Sequence, residues 1–291
     1  MNVEHLPTAS ATQAIIQVEG LQAPVTLLHI TDSHMNSTDE SDGFPVLEQS
    51  WKEYTFDTLV TRSHFDQALA YANGLAVDGV VLTGDIINGA TRSNLDYLES
   101  RLKTLRAPYL YTPGNHDWEY PGERWGEATR LAQYPKFERI TAGNPACQAI
   151  EVGGILLLAL DNSTYQISKA QLAFAELQLS RGMPTLLFMH IPISIPSLHE
   201  PVVEHWGSPI MMASEGWDPI RMKEWMVEPP SASTMAMYRM LWDNPYRNLI
   251  GLFCGHIHFS RRDMFGHSCQ YVTEAGFTGG YRVIRLLPRR S

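Results

Sequence analysis

Cysteine is scarce in this sequence: Cys147, Cys254 and Cys269 are the only 3 in 291 residues. They are too few for a disulfide scaffold, and none forms a C-x-x-C pair, which argues against a thiolate zinc site. Long apolar runs are missing too. The longest, Ile155 to Leu160, falls far short of the ~20 residues that span a bilayer, so no membrane partner is expected. Positive charge is in deficit: 22 Lys and Arg against 31 Asp and Glu leave a net charge of −9, with no dense basic stripe. Affinity for nucleic-acid backbone rests on Lys and Arg, so the balance argues against nucleic acid and favours a small ligand. Met1 to Gly20 has an early acidic residue and no apolar h-region, so a cytoplasmic protein is expected.

What remains is the composition of a folded chain, 44% apolar and 18% charged, long enough to bury a core without staples. Strand and helix signals alternate. Ala14 to Val18, Val25 to Ile30, Gly79 to Thr83 and Pro108 to Tyr111 read as strands in the first half. Arg62 to Leu75, with Ser63 as a cap, and Ser93 to Leu105 read as helices. The second half adds strands at Ile155 to Leu160, Thr185 to Met189, Leu249 to Phe253, Ser268 to Thr273 and Tyr281 to Leu286, with a helix at Ser168 to Ser180. This alternation predicts an α/β fold. Two segments break the rhythm, Met35 to Phe56 and Ile193 to Pro245. At that length they are expected to be functional insertions with structure of their own, within a single domain spanning 1–291.

Histidine occurs 11 times, and its placement carries the chemistry. Five segments put metal-ligating residue types just after predicted strands: Asp32-Ser33-His34, Gly84-Asp85, Gly114-Asn115-His116-Asp117, His190, and Gly255-His256-Ile257-His258. In an α/β sheet such strand ends converge at one edge, where ligands bind. Asp32, His34, Asp85, Asn115, His190, His256 and His258 make seven donors. That is too many for one tetrahedral ion and suits two ions sharing a carboxylate, about 3.5–4 Å apart, as a clamp on a phosphoryl group. Carboxylate, imidazole and amide oxygen suit Mn, Fe or Zn.

The ordered set D-x-H, G-D, G-N-H-D, H, G-H-x-H resembles the calcineurin-like metallophosphoesterase superfamily, and within it the bacterial class III cyclic-nucleotide phosphodiesterases and glycerophosphodiesterases. The motifs run from Asp32 to His258. The resemblance implies two facing β-sheets flanked by helices, with the insertions over a strand-end active site. It places Asp32, His34 and His258 on one metal, Asn115, His190 and His256 on the other, and Asp85 between them. It also implies that His116 faces the substrate and assists the leaving oxygen, with Asp117 orienting its ring. Purple acid phosphatases, which are relatives, carry a tyrosine ligand three residues after the bridging aspartate. Asn88 stands there, so no tyrosinate ligand is expected.

The activity so implied is hydrolysis of a small-molecule phosphate ester, most simply a diester, by a metal-activated water. Phosphomonoesterase and nucleotide pyrophosphatase activity are the enzymatic alternatives, and a non-catalytic scaffold is the alternative of another class. Seven of the 12 methionines lie from Met211 to Met240, among Trp206, Trp217, Trp225 and Trp242. A local core is the simpler reading of that cluster; a lid or a homo-oligomer contact is the other. His29 reads as a core residue. His199 and His205 could reach the substrate. Arg124, Arg261 and Arg262 are cations that could grip a second substrate group, and spacing does not rank them.

Overall fold

The computed structural model describes residues 1–36, 57–120, 123–141 and 143–289. Most of the Met35 to Phe56 insertion, including its acidic Asp39, Glu40 and Asp42, lies outside the described residues. The first half of the chain forms β1 (Val3–Leu6), β2 (Gln13–Val18), β3 (Val25–Ile30), α1 (Thr58–Leu75), β4 (Gly79–Thr83), α2 (Arg92–Leu102), β5 (Tyr109–Thr112) and α3 (Glu127–Phe137). The second half forms β6 (Cys147–Val152), β7 (Ile155–Leu160), α4 (Lys169–Leu179), β8 (Thr185–Phe188), α5 (Pro196–Trp206), α6 (Pro219–Glu224), α7 (Ala232–Asp243), β9 (Leu249–Cys254), β10 (Arg261–Phe265), β11 (Ser268–Val272) and β12 (Arg282–Pro288).

The strands make two six-stranded sheets, ordered β1-β2-β12-β3-β4-β5 and β10-β11-β9-β8-β7-β6. In the first, β3, β4 and β5 run parallel, while β12 returns antiparallel against β3. In the second, β7, β8, β9 and β11 are parallel and the edge strands β6 and β10 antiparallel. Side-chain alternation along the strands builds three apolar layers. Leu27, Val81 and Leu110 of one sheet meet Leu157, Leu186 and Phe188 of the other, closing the sandwich. The next residues along those strands, Leu28 and Leu82, face outward to Phe65 and Leu69 of α1 and Leu95 and Leu98 of α2. Leu158 and Leu187 face outward to Ala175 and Leu179 of α4, Leu198 of α5 and Met237 of α7. Each fully buried Leu or Phe contributes roughly 1.5–3 kcal/mol, so these layers dominate the stability.

The predicted α/β sandwich is therefore the observed fold. Several elements start where the sequence places them, and α4 is capped by Ser168 in a reciprocal box with Gln171. Helix α1 corrects the expectation at its start. Asp57, not Ser63, is the cap, accepting from the N–H groups of Leu59 and Val60. Leu59 and Val60 are exposed, so the apolar stripe begins a turn after the helix does and hides its true start. The Ile193 to Pro245 insertion carries α5, α6 and α7. Its Met211, Met212 and Met237 are buried against the outer face of the second sheet, with Trp206, Trp217 and Trp225 half-buried on them. A local core is what most of those methionines build.

Candidate metal centre

The chain turns sharply where the central strands end. Asp32, His34, Asp85, His256 and His258 all adopt positive φ, between 46° and 72°. Left-handed backbone costs a non-glycine residue about 1–2 kcal/mol, and its concentration at donor positions marks a site whose geometry the surrounding packing imposes. The turns interlock. Asp32 N–H donates to the Gly84 carbonyl at 3.0 Å and His34 N–H to the Asp85 carbonyl at 2.8 Å. His256 N–H donates across the sandwich to the Asp32 carboxylate at 3.0 Å. Glycine is required at Gly255, where a Cβ would lie 1.9 Å from Thr31 Oγ1 and 2.3 Å from Asp32 Oδ2.

The structure brings the donors together as two groups joined by Asp85. Donor atoms of Asp32, His34 and His258 lie within 4.8 Å of one another, as do those of Asp85, His190 and His256. Asp85, His34 and His116 form a third such group, so Asp85 belongs with both sides. Asn115 Oδ1 is buried with no hydrogen-bond partner, an acceptor left open at the site. His34 Nε2 faces His258 Nε2 at 3.3 Å, and His256 Nδ1 faces His190 Nε2 at 3.2 Å.

The far nitrogens of three imidazoles are held in turn. His34 Nδ1 donates to Asn88 Oδ1 at 2.8 Å and His190 Nδ1 to the Thr83 carbonyl at 2.7 Å. His256 Nε2 pairs with the Tyr165 hydroxyl at 2.9 Å. Such partners fix which ring nitrogen offers its lone pair. Burial, with Asp85 opposing, lowers His34 to about 4, so its ring is neutral and ready to ligate. Burial also disfavours charge on Asp85, but His190, His116 and His34 outweigh it and hold the carboxyl well below its usual range. The unpartnered Asn115 oxygen, the ionised Asp32 and Asp85, and the oriented lone pairs fit two hard-to-borderline cations.

His116 sits beside this cluster, edge-on to His34 with ring centroids 5.0 Å apart. Its Nδ1 pairs with Glu119 Oε2 at 3.1 Å. Burial opposes a charge on the ring, but Glu119 and then Asp85 outweigh it and raise the pKa to about 10. Here the expectation for Asp117 needs correction. Its carboxylate is spent on backbone: Oδ2 accepts from Asp85 N–H at 2.8 Å and Gly114 N–H at 2.7 Å, and Oδ1 from Ile86 and Ile87 N–H at 2.9 Å. The turn after Thr112 folds Asp117 back into the loop it follows, and Glu119, three residues beyond His116, comes round to the ring. Asp117 shapes the site, and Glu119 is the carboxylate on His116.

A chamber of about 470 Å³ opens on the cluster, walled by Trp125, Trp206, Trp225 and Met226. The insertion thus supplies a wall as well as a core. His199 instead meets the Glu215 carbonyl, and His205 packs on Trp206 and Phe259; neither lines the chamber. His29 is fully buried between the hydroxyls of Thr273 and Thr83, each at 2.7 Å, as a core residue. Sequence reasoning missed Glu119 and Tyr165. An acidic residue at i+3 from His116 was the one available signal for the first; Tyr165 had none.

Two facing sheets whose strand ends gather paired carboxylate and imidazole groups define a class of metal-dependent phosphoester hydrolases. The chain belongs to the calcineurin-like phosphoesterase family, whose model matches residues 25–260. Among curated proteins it is similar to the glycerophosphodiester phosphodiesterase GpdQ of Enterobacter lignolyticus (strain SCF1), with 27% identity over 246 residues, 80% of this chain and 70% of that one. A solved structure of a dimetal phosphatase from Danio rerio shares the fold, with a TM-score of 0.50 at 14% identity over 87% of this chain and 88% of that one. The chain is accordingly a metal-dependent phosphoester hydrolase. Among the described residues no helix is long and apolar enough to cross a membrane.

Proposed function

We propose that this enzyme hydrolyses phosphodiesters, with residues 1–291 acting as one catalytic unit. The observation that carries the reading is the charge of the chamber. Among its described lining residues the cations are Arg221, which Glu224 holds at 2.9 Å, and the His116 ring, which Glu119 holds at 3.1 Å, so neither is free. A monoester arrives as a dianion and gains from an extra free cation; a diester carries one charge and does not need it. The aromatic walls also leave room for a second ester group. Similarity to a glycerophosphodiester phosphodiesterase supports the same reading.

Asp32, His34 and His258 would hold one cation, and Asn115, His190 and His256 the other, with Asp85 between them. Mn, Fe and Zn all suit these donors. When bound, the pair supplies Lewis acidity that eases deprotonation of water and offsets phosphoryl charge. The residues of the chain do the rest. The turns at Asp85 and Asn115 set those two side chains on the chamber lining. As the bond from phosphorus to the leaving oxygen breaks, the His116 ring gives that oxygen a proton, and Glu119 stabilises the charged ring before transfer. Asp117 keeps the Asp85 and Asn115 loops in register.

With Mn²⁺ added, bis(p-nitrophenyl) phosphate is expected to be cleaved with a kcat/KM at least about tenfold above that of p-nitrophenyl phosphate, one decade being ~1.4 kcal/mol of transition-state preference. A ratio below one would overturn the diesterase reading in favour of a monoesterase.

A further inference from the structure

Beyond the chamber lies a second, larger cavity of about 810 Å³. Trp125 and Met226 line both, so the two meet at an apolar neck. One side of the outer groove comes from the segment around Arg124 and α3, the other from α6 and the stretch that follows it. Arg124 and Lys223 lie on its two sides, both exposed. Neither makes an ion pair among the described residues. Of the groove's two carboxylates, Glu127 is engaged by the buried Arg130 at 2.5 Å, which leaves one carboxylate, Glu228, against two cations. In a chain of net charge −9, a cavity lined by an excess of one cation is a local reversal of sign.

The structure also ranks the three arginines that spacing could not. Arg261 is held by Asp263 at 3.1 Å, and Arg262 donates to the carbonyls of Leu6 and His5. Of the three, Arg124 alone has no such hold among the described residues and lines a cavity.

We propose that the outer groove binds a second phosphate of the substrate. The preferred ester then carries two phosphoryl groups: a diester attacked in the chamber, and a terminal phosphate held by Arg124 and Lys223. A nucleoside-sized spacer passes the neck and rests on Trp125 and Met226. This rests on the diesterase reading and adds a substrate class to it. Phosphate held between two cations gains charge-assisted hydrogen bonds that a neutral alcohol cannot make.

Calorimetry on the Mn²⁺-loaded enzyme tests the groove without turnover. The probes are thymidine monophosphate and the thymidine bisphosphate carrying a phosphate on each sugar hydroxyl. The bisphosphate is expected to bind about tenfold more tightly, one decade of affinity. In Arg124→Ala/Lys223→Ala that ratio should fall to about one. Both charged residues are exposed, so the double variant should fold as the wild type does. A wild-type ratio near one, or a ratio unchanged in the double variant, would overturn the proposal. Failure to cleave bis(p-nitrophenyl) phosphate would instead remove the diesterase reading, while the affinity ratio still decides the groove.

Discussion

Asp117→Asn separates a residue that shapes the site from one that acts on a proton. In the wild type each carboxylate oxygen accepts two backbone N–H groups, four bonds in all between 2.7 and 2.9 Å. An asparagine keeps one oxygen and turns an NH₂ towards two N–H donors, whichever way the amide is placed. Two buried donors are then orphaned at about 1–3 kcal/mol each, and the two remaining bonds lose their charge assistance. Burial and then Asp85 raise the Asp117 carboxyl to about 7, so a neutral amide recovers part of that cost and leaves a net loss of ~1–3 kcal/mol. That is a measurable share of the ~5–15 kcal/mol that typically holds a domain together. Urea unfolding of Mn²⁺-saturated protein at neutral pH should show a clearly lowered midpoint, with Glu119→Gln as the comparison within ~1 kcal/mol of wild type. If Asp117→Asn kept wild-type stability and lost only turnover, Asp117 would be the orienting partner of His116, and the assignment to backbone would be wrong.

Glu119→Gln should act on pH dependence. The proton donor works while His116 is protonated, so activity is lost as pH rises through its pKa. Removing the carboxylate lowers that pKa, and the alkaline limb of kcat should move down by ~1–2 pH units; an unmoved limb would exclude His116 as the donor. Tyr165→Phe removes the partner of His256 Nε2, and metal titration should record a ~10–100-fold weaker second ion; unchanged affinity would make the hydroxyl incidental. Burial lowers His29 to about 3 in the folded protein, against about 6.5 when unfolded. The unfolded state therefore takes up the extra proton, and the contribution of this ring to stability should fall as pH drops from about 6.5 towards 4, by at most ~1.4 kcal/mol per unit. The acid-lowered His5 adds the same sign. The urea stability of metal-free wild type relative to His29→Gln should fall by ~1–2 kcal/mol between pH 7 and pH 5; an unchanged difference would contradict the neutral buried ring.

Much of the centre was legible because strand-end chemistry is local. A buried apolar run such as Val80 to Thr83 ends, a glycine permits the turn, and the next residue, Asp85, stands at the sheet edge. The same logic found Asp32, His34, Asn115, His190, His256 and His258, and the structure gathers all of them. Direction after a tight turn was not legible. Asp117 is nearer to His116 in sequence than Glu119 is, yet backbone curvature turns its carboxylate away from the ring. The strands β1, β6 and β10 also escaped notice. They lie at sheet edges, and β10 reads Arg-Arg-Asp-Met-Phe, a charged sequence of the kind that keeps an edge from pairing with strangers.

The sequence by itself determined the alternation of strand and helix and the inventory of donors, because apolar periodicity and residue type are properties of short segments. Only tertiary structure decided what each donor leans on: Asn88 behind His34, Tyr165 behind His256, Glu119 behind His116. It also decided that Arg124 faces a cavity while Arg262 is tied to the first strand. Those outcomes depend on which remote segments the two sheets press together, and no spacing along the chain encodes the direction in which a side chain leaves a turn.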